Sequence, residues 1–175
     1  GAHVEYLRGI ANPLGIKVGT GLKPDTLLEL LDVLNPAAVP GKITLITRFG
    51  ADNIAGELPR MIKAVRKSGH SVLWCCDPMH GNTEYDAAGR KVRRLANIFS
   101  EIEHTIAIHQ EQGTFLGGIH IEFTSDKVIE CLGGNCPAGE CIPSEHQDAE
   151  CDPRLNGDQT LQMAFLLARL LCGSK

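Results

Sequence analysis

No stretch of this sequence carries the roughly 18 consecutive apolar residues that would mark a membrane-spanning helix. No basic-then-apolar leader opens it either. Neither a bilayer span nor export is therefore expected; the expected location is the cytoplasm, or the plastid in a plant. A basic excess is also missing, since 17 Lys and Arg face 21 Asp and Glu, for a net charge of −4. A general nucleic-acid binder would be cationic, so that class is set aside. Paired C-x-x-C knuckles are absent: Cys131, Cys136, Cys141 and Cys151 are spaced by four, four and nine residues, which is not a zinc ribbon. Seven cysteines among 175 residues are too few for a disulfide-stapled secreted domain, so reduced thiols are expected. No segment has linker composition, and residues 1–175 read as one domain.

What is present is the balance of a globular protein, 43% hydrophobic and 22% charged, with length enough for a real core. The apolar pattern switches repeatedly between strand and helix rhythm. "GIKVG" (15–19), "KITLITRFG" (42–50), "HSVLWCCD" (70–77) and "LGGIHIEFT" (116–124) read as strands. A helix opens at Pro24 and aligns Leu27, Leu28, Leu31 and Leu34. A second starts near Pro59, with Leu58, Ile62 and Val65 at helical spacing. A third runs from Arg90 to Gln112 with Val92, Leu95, Phe99 and Ile106 on its stripe. The last runs from about Asp158 to Cys172, its apolar face being Leu161, Phe165, Ala168 and Leu171. Four strand–helix repeats predict a parallel α/β fold. One segment breaks the rhythm: Phe123 to Asn156 is long and rich in Gly, Pro and Cys, the mark of a functional or disordered loop.

The polar residues of the strands gather at one end. Side chains alternate along a strand, so Gly118, His120 and Glu122 share a face, as do Thr44, Ile46 and Arg48. Lys17, Arg48, Asp77 with His80 just beyond, and Glu122 all fall at or near the carboxyl ends, where parallel α/β proteins bind ligands. Each has a bland reading: Lys17 in solvent at an edge, Arg48 in a surface ion pair, His80 as a cap, His120 as a satisfied core histidine. Glu122 resists one, because a carboxylate closing a buried strand needs a cation or strong donors. One imidazole and two carboxylates suit a divalent transition ion such as Mn²⁺, Co²⁺ or Fe²⁺. His80 and Glu122 supply two ligands, and Asp152 of "ECDPRLNGDQ" is the natural third. Lys17 and Arg48 would then meet an anion, a carboxylate or a phosphate.

Five stretches, "GAHVEYLRGIANPLGIKVG", "LITRFG", "WCCDPMHGNT", "GGIHIEFTSDKVIECLGG" and "CDPRLNGDQTL", span nearly the whole chain. On these the sequence resembles the class II (plant-type) 3-deoxy-D-arabino-heptulosonate 7-phosphate (DAHP) synthases, which catalyse the first step of the shikimate pathway and so serve aromatic amino acid biosynthesis. The resemblance implies an aldol-like condensation of phosphoenolpyruvate with erythrose 4-phosphate, releasing phosphate, with the metal activating the sugar aldehyde. It implies His80, Glu122 and Asp152 as ligands of a divalent metal, Mn²⁺ or Co²⁺, and Lys17 and Arg48 as phosphoenolpyruvate-binding, with Lys17, Arg48 and His80 as catalytic residues. It also implies the C-terminal half of a (β/α)₈ TIM barrel, without the family's first-strand cysteine ligand, which in the family can pair with a cysteine placed like Cys151. A full barrel needs about 200 residues or more. The expectation is thus a chain inactive alone, completed by an N-terminal half or by oligomerisation, its inner sheet face open to water. The alternative is a catalytically silent half-barrel that binds a metal, a phosphorylated ligand or a partner chain.

Overall fold

The structure is a computed structural model and describes residues 1–87, 89–134 and 152–173. Cys136, Cys141, Cys151 and half of the long loop lie outside the described residues. The chain opens with a short helix α1 (Ala2–Arg8), then β1 (Leu14–Gly19), α2 (Pro24–Leu34), β2 (Ile43–Arg48), α3 (Ile54–Ser68) and β3 (Leu73–Cys76). A single 3₁₀ turn (His80–Asn82) leads to β4 (Thr83–Tyr85), β5 (Lys91–Arg94), α4 (Leu95–Glu111), β6 (Leu116–Ile119), β7 (Cys131–Leu132) and α5 (Gly157–Cys172).

Strands β1-β2-β3-β6 form one sheet in that order, each neighbouring pair parallel. This is the mixed α/β architecture of a partial (β/α) barrel. A parallel pair needs a crossover, and α2, α3 and most of the β3–β6 connection supply it. Alternation then divides the sheet. Val18, Ile43, Leu45 and Trp74 turn toward the helices and are buried against Leu27, Leu31, Leu58 and Ile62. Lys17, Ile46, Arg48 and Leu73 turn to the other face, which is open: Leu73 is 47% exposed. A second apolar cluster joins Met79 to α4 (Ile98, Ile102), to Cys131 and to Met163 of α5.

Several elements differ from the sequence reading. Helix α3 begins at Ile54, one turn before Pro59, because the carbonyls of Gly50 and Asn53 accept from Ile54, Gly56 and Glu57 and nucleate the turn early. The segment "RKVRR" does not start α4. It forms β5, antiparallel to β4 and parallel to β7 in a small second sheet, with Val92 and Arg93 both buried. Helix α5 buries Gln159, Met163 and Leu166, and leaves Leu161, Phe165, Ala168 and Leu171 exposed. Its phase is set by a capping box between Asn156 and Gln159, and Gln159 Nε2 donates inward to the carbonyls of Cys131 and Gly133. A polar residue thereby takes the buried face that hydrophobicity alone assigns elsewhere. Helix α1, unmarked by the sequence reading, lays Val4 and Leu7 on the first core.

The loops after β2 and β3 meet backbone to backbone. A Cβ on Gly81 would lie 2.4 Å from the Gly50 nitrogen, and one on Gly50 would lie 2.6 Å from the Gly81 carbonyl oxygen. Gly50 also has φ +84°, a conformation that disfavours any side chain. Gly81→Ala must push the two loops apart. It is expected to destabilise the chain by about 1–3 kcal/mol in urea unfolding; a change within about 0.5 kcal/mol, the range of surface substitutions, would contradict this contact.

Candidate metal centre

Strand β3 passes directly into Asp77, whose nitrogen extends the ladder to Thr47 O at 2.7 Å. The Asp77 side chain is fully buried and fully used. Oδ1 accepts from the backbone nitrogens of Met79 (3.0 Å) and His80 (3.1 Å), closing the turn. Oδ2 accepts from Lys17 Nζ and from His80 Nδ1, the latter at 2.7 Å. Burial alone would raise the carboxyl's pKa; the Lys17 ammonium and the two backbone donors outweigh it and hold it below the ordinary range. With Nδ1 donating to Asp77, the lone pair of the neutral His80 ring is on Nε2, the orientation a carboxylate imposes on metal-binding histidines.

Nε2 of His80 faces Glu122 Oε1 at 3.3 Å and Asp152 Oδ2 at 3.9 Å. One ligand atom from each residue can be chosen so that all lie within 4.8 Å of one another. The sequence-predicted trio is thus brought together. Glu122 does not close a strand, however. Strand β6 ends at Ile119, and after His120 N donates to Cys76 O the chain peels away. A separate parallel bridge, Phe123 to Leu155, then carries Glu122 and Asp152 side by side, with Leu155 N on Glu122 O and Thr124 N on Leu155 O. His120 is exposed, so it is no core histidine.

Cations hold the outer oxygen of each acid, and Arg93 also reaches Asp152 Oδ2, the oxygen that faces His80. Arg93, fully buried, donates from Nη1 to Glu122 Oε2 and Pro153 O, from Nη2 to Asp152 Oδ2 (3.5 Å), and from Nε to Thr83 Oγ1 (3.0 Å). Lys91 donates to Asp152 Oδ1 at 2.6 Å, and that bond, ahead of all else, keeps the Asp152 carboxyl below its usual range. The donor set fits a divalent transition ion: one imidazole nitrogen and two carboxylates, their inner oxygens turned to a common point.

Lys17 and Arg48 share the open face. Gly19, two residues on from Lys17, pairs with Arg48 across β1 and β2, and Arg48 Nη1 lies 3.4 Å from where a Gly19 Cβ would be. Lys17 holds Asp77, and Arg48 Nε is buried with no hydrogen-bond partner among the described residues. One fixed donor and one ammonium beside it can bind an anion.

Three contributors escaped the sequence reading. Arg93 and Lys91 lie in "RKVRR", where four cations around one valine do not suit an apolar helix stripe and could have flagged a strand. Glu101 sits on the inward face of α4, three residues after Ile98, a position an acid occupies only with partners. Its Oε1 accepts from Phe49 N (3.0 Å) and Gly50 N (2.9 Å), and its Oε2 from Asn82 Nδ2 (2.7 Å). One carboxylate therefore ties the loop after Arg48 to the turn after His80.

The model of the class-II DAHP synthetase family matches residues 1–168. The chain belongs to the class-II DAHP synthetase family. A phospho-2-dehydro-3-deoxyheptonate aldolase of Neurospora crassa is 50% identical over 169 residues, 95% of this chain and 35% of that protein. The phospho-2-dehydro-3-deoxyheptonate aldolase AroG of Mycolicibacterium smegmatis is 42% identical over 171 residues, 98% of this chain and 37% of its own length. The chain thus spans about a third of the length of these curated relatives. Among the described residues no helix is long and apolar enough to cross a membrane.

In this class-II DAHP synthetase chain the Glu101 clasp has a pH signature. Burial, only partly offset by the Gly50, Phe49 and Asn82 donors, raises its pKa from 4.5 to about 7. Between those values the folded chain holds more protons than the unfolded one, so Glu101's contribution to stability falls as pH rises, by up to about 3 kcal/mol. Buried His109, lowered to about 4, acts oppositely from pH 4 to 6.5, so the difference between two chains is the informative quantity. Stability measured against pH should fall more steeply from 5 to 7.5 in the native chain than in Glu101→Gln; parallel curves would show that Glu101 does not titrate there.

Proposed function

We propose that the chain carries the C-terminal half of the barrel of a plant-type DAHP synthase, one partial (β/α)-barrel domain over 1–175. The reaction is the condensation of phosphoenolpyruvate with erythrose 4-phosphate to a 3-deoxy-heptulosonate 7-phosphate. The observation that carries this reading is the convergence of His80, Glu122 and Asp152 beside two cations on one rim of a parallel sheet, within a class-II DAHP synthetase sequence.

In this reading His80, Glu122 and Asp152 hold a divalent ion, Mn²⁺ or Co²⁺. Such an ion supplies a Lewis acid for the aldehyde oxygen of the sugar phosphate. The chain's own residues orient and charge the rest. Arg48 offers its fork, with Nε unbonded among the described residues, to the carboxylate or phosphate of phosphoenolpyruvate. Lys17 adds a second positive charge from the neighbouring strand, and both stabilise negative charge as phosphate leaves. Asp77 ties the two halves of the site together, since one of its oxygens bonds both Lys17 and His80. The chain supplies one side of a barrel, and the open face of Lys17, Arg48 and Leu73 is where a complementing N-terminal half or another subunit would close it.

Purified chain, mixed with Mn²⁺ and both substrates, is expected to show no loss of phosphoenolpyruvate absorbance until a family N-terminal half is added. Turnover by the chain alone would contradict the half-site reading. In the active assembly His80→Ala and Glu122→Ala should each weaken metal binding by at least about 100-fold, beyond the 10–100-fold typical of outer-shell losses. Arg48→Ala should leave metal affinity intact and weaken phosphoenolpyruvate by about 10- to 100-fold. Unchanged metal affinity in both ligand variants would remove the assignment.

A further inference from the structure

Arg93 is the least expected group near the three acceptors. Its guanidinium is fully buried, on a strand whose neighbours Lys91 and Arg94 reach solvent. A buried cation is costly unless geometry and hydrogen bonds compensate. Here Thr83 Oγ1, Pro153 O, Glu122 Oε2 and Asp152 Oδ2 all accept from it, so the fork is fixed from four sides. Its Glu122 partner is the oxygen turned away from His80, while Oε1 stays turned toward Nε2.

We propose that Arg93 is a positioning residue that assembles the Glu122–Asp152 pair before any cation arrives. Two carboxylates this close repel one another, and each could rotate to present either oxygen. The Arg93 fork neutralises that repulsion, anchors the Glu122 side chain by its outer oxygen, and braces the Pro153 carbonyl next to Asp152. Glu122 Oε1 is then turned toward His80 Nε2, and Asp152 Oδ2, which also accepts from Arg93 Nη2, is held on the same side. Without this fork, preorganisation is lost although no ligand is. The inference rests on the metal-centre reading above, and two opposing effects make it testable. As a positive charge near the site, Arg93 repels a metal ion; as a positioning group, it favours one.

The test is Mn²⁺ titration of the 175-residue chain, reading free ion by electron paramagnetic resonance. Arg93→Met keeps length and removes charge and fork; Arg93→Lys keeps charge alone. Positioning predicts that R93M weakens Mn²⁺ at least about tenfold, with R93K recovering only part. Arg94→Met, which removes the next cation of β5, bonded to Glu84 of β4, should stay within about twofold. Mn²⁺ binding by R93M as tight as, or tighter than, the native chain overturns the proposal. A second measurement needs no metal and guards against misfolding. In EDTA, unfolding of the native chain, R93M, Glu122→Gln and the double variant forms a cycle. Positioning predicts coupling of about tenfold in the unfolding equilibrium, whereas additivity within about twofold overturns it. If the native chain binds no Mn²⁺, the metal-centre reading fails by itself, and the cycle decides on Arg93.

Discussion

The site depends on one buried carboxylate with four donors. Asp77 ends β3, closes the turn into His80 with one oxygen and holds Lys17 and the His80 ring with the other. An acid with no access to water survives ionised only when its acceptor positions are filled, and here three of the four donors belong to Lys17 and His80. The requirement that stabilises Asp77 therefore orients His80 Nε2 and places the Lys17 ammonium beside it. Remove any one donor and the rest lose their reason to be arranged as they are.

The two acids opposite His80 obey the same logic from another part of the fold. Their approach is made by a parallel bridge between Phe123 and Leu155, and their charge is met by Arg93 and Lys91 from the small second sheet. The main sheet supplies the imidazole and the anion-binding cations; the second sheet and the loop segments supply and balance the carboxylates. Glu101 and the paired glycines 50 and 81 join the loops of β2 and β3, so Arg48 and His80 are not independent.

Much of this was legible in the sequence because strand periodicity and the parallel fold together send alternate residues to one rim. Lys17, Arg48, Asp77 and His80 lie at strand ends that the pattern located to within a few residues. The convergence of Glu122 and Asp152 was readable only as chemistry, since Glu122 lies past the end of β6 and its partner follows an interrupting loop. Arg93 and Glu101 were hidden for a shared physical reason. Each is a charged residue at a buried position, and composition marks such residues as surface until their partners are known. The phase of α5 was misread because Gln159 is buried through hydrogen bonds, which hydrophobic periodicity does not count. The reading of the cysteines at 136, 141 and 151 falls outside the described residues.

The central claim is that His80 Nε2, Glu122 and Asp152 enclose a divalent ion on the scaffold that Asp77 organises. Crystals of the chain grown with Mn²⁺ and measured at the manganese absorption edge test it most directly. The account predicts one anomalous peak bounded by His80 Nε2, Glu122 Oε1 and Asp152 Oδ2, with His80 Nδ1 still on Asp77. A peak elsewhere, or these three side chains free of density at saturating Mn²⁺, would contradict it.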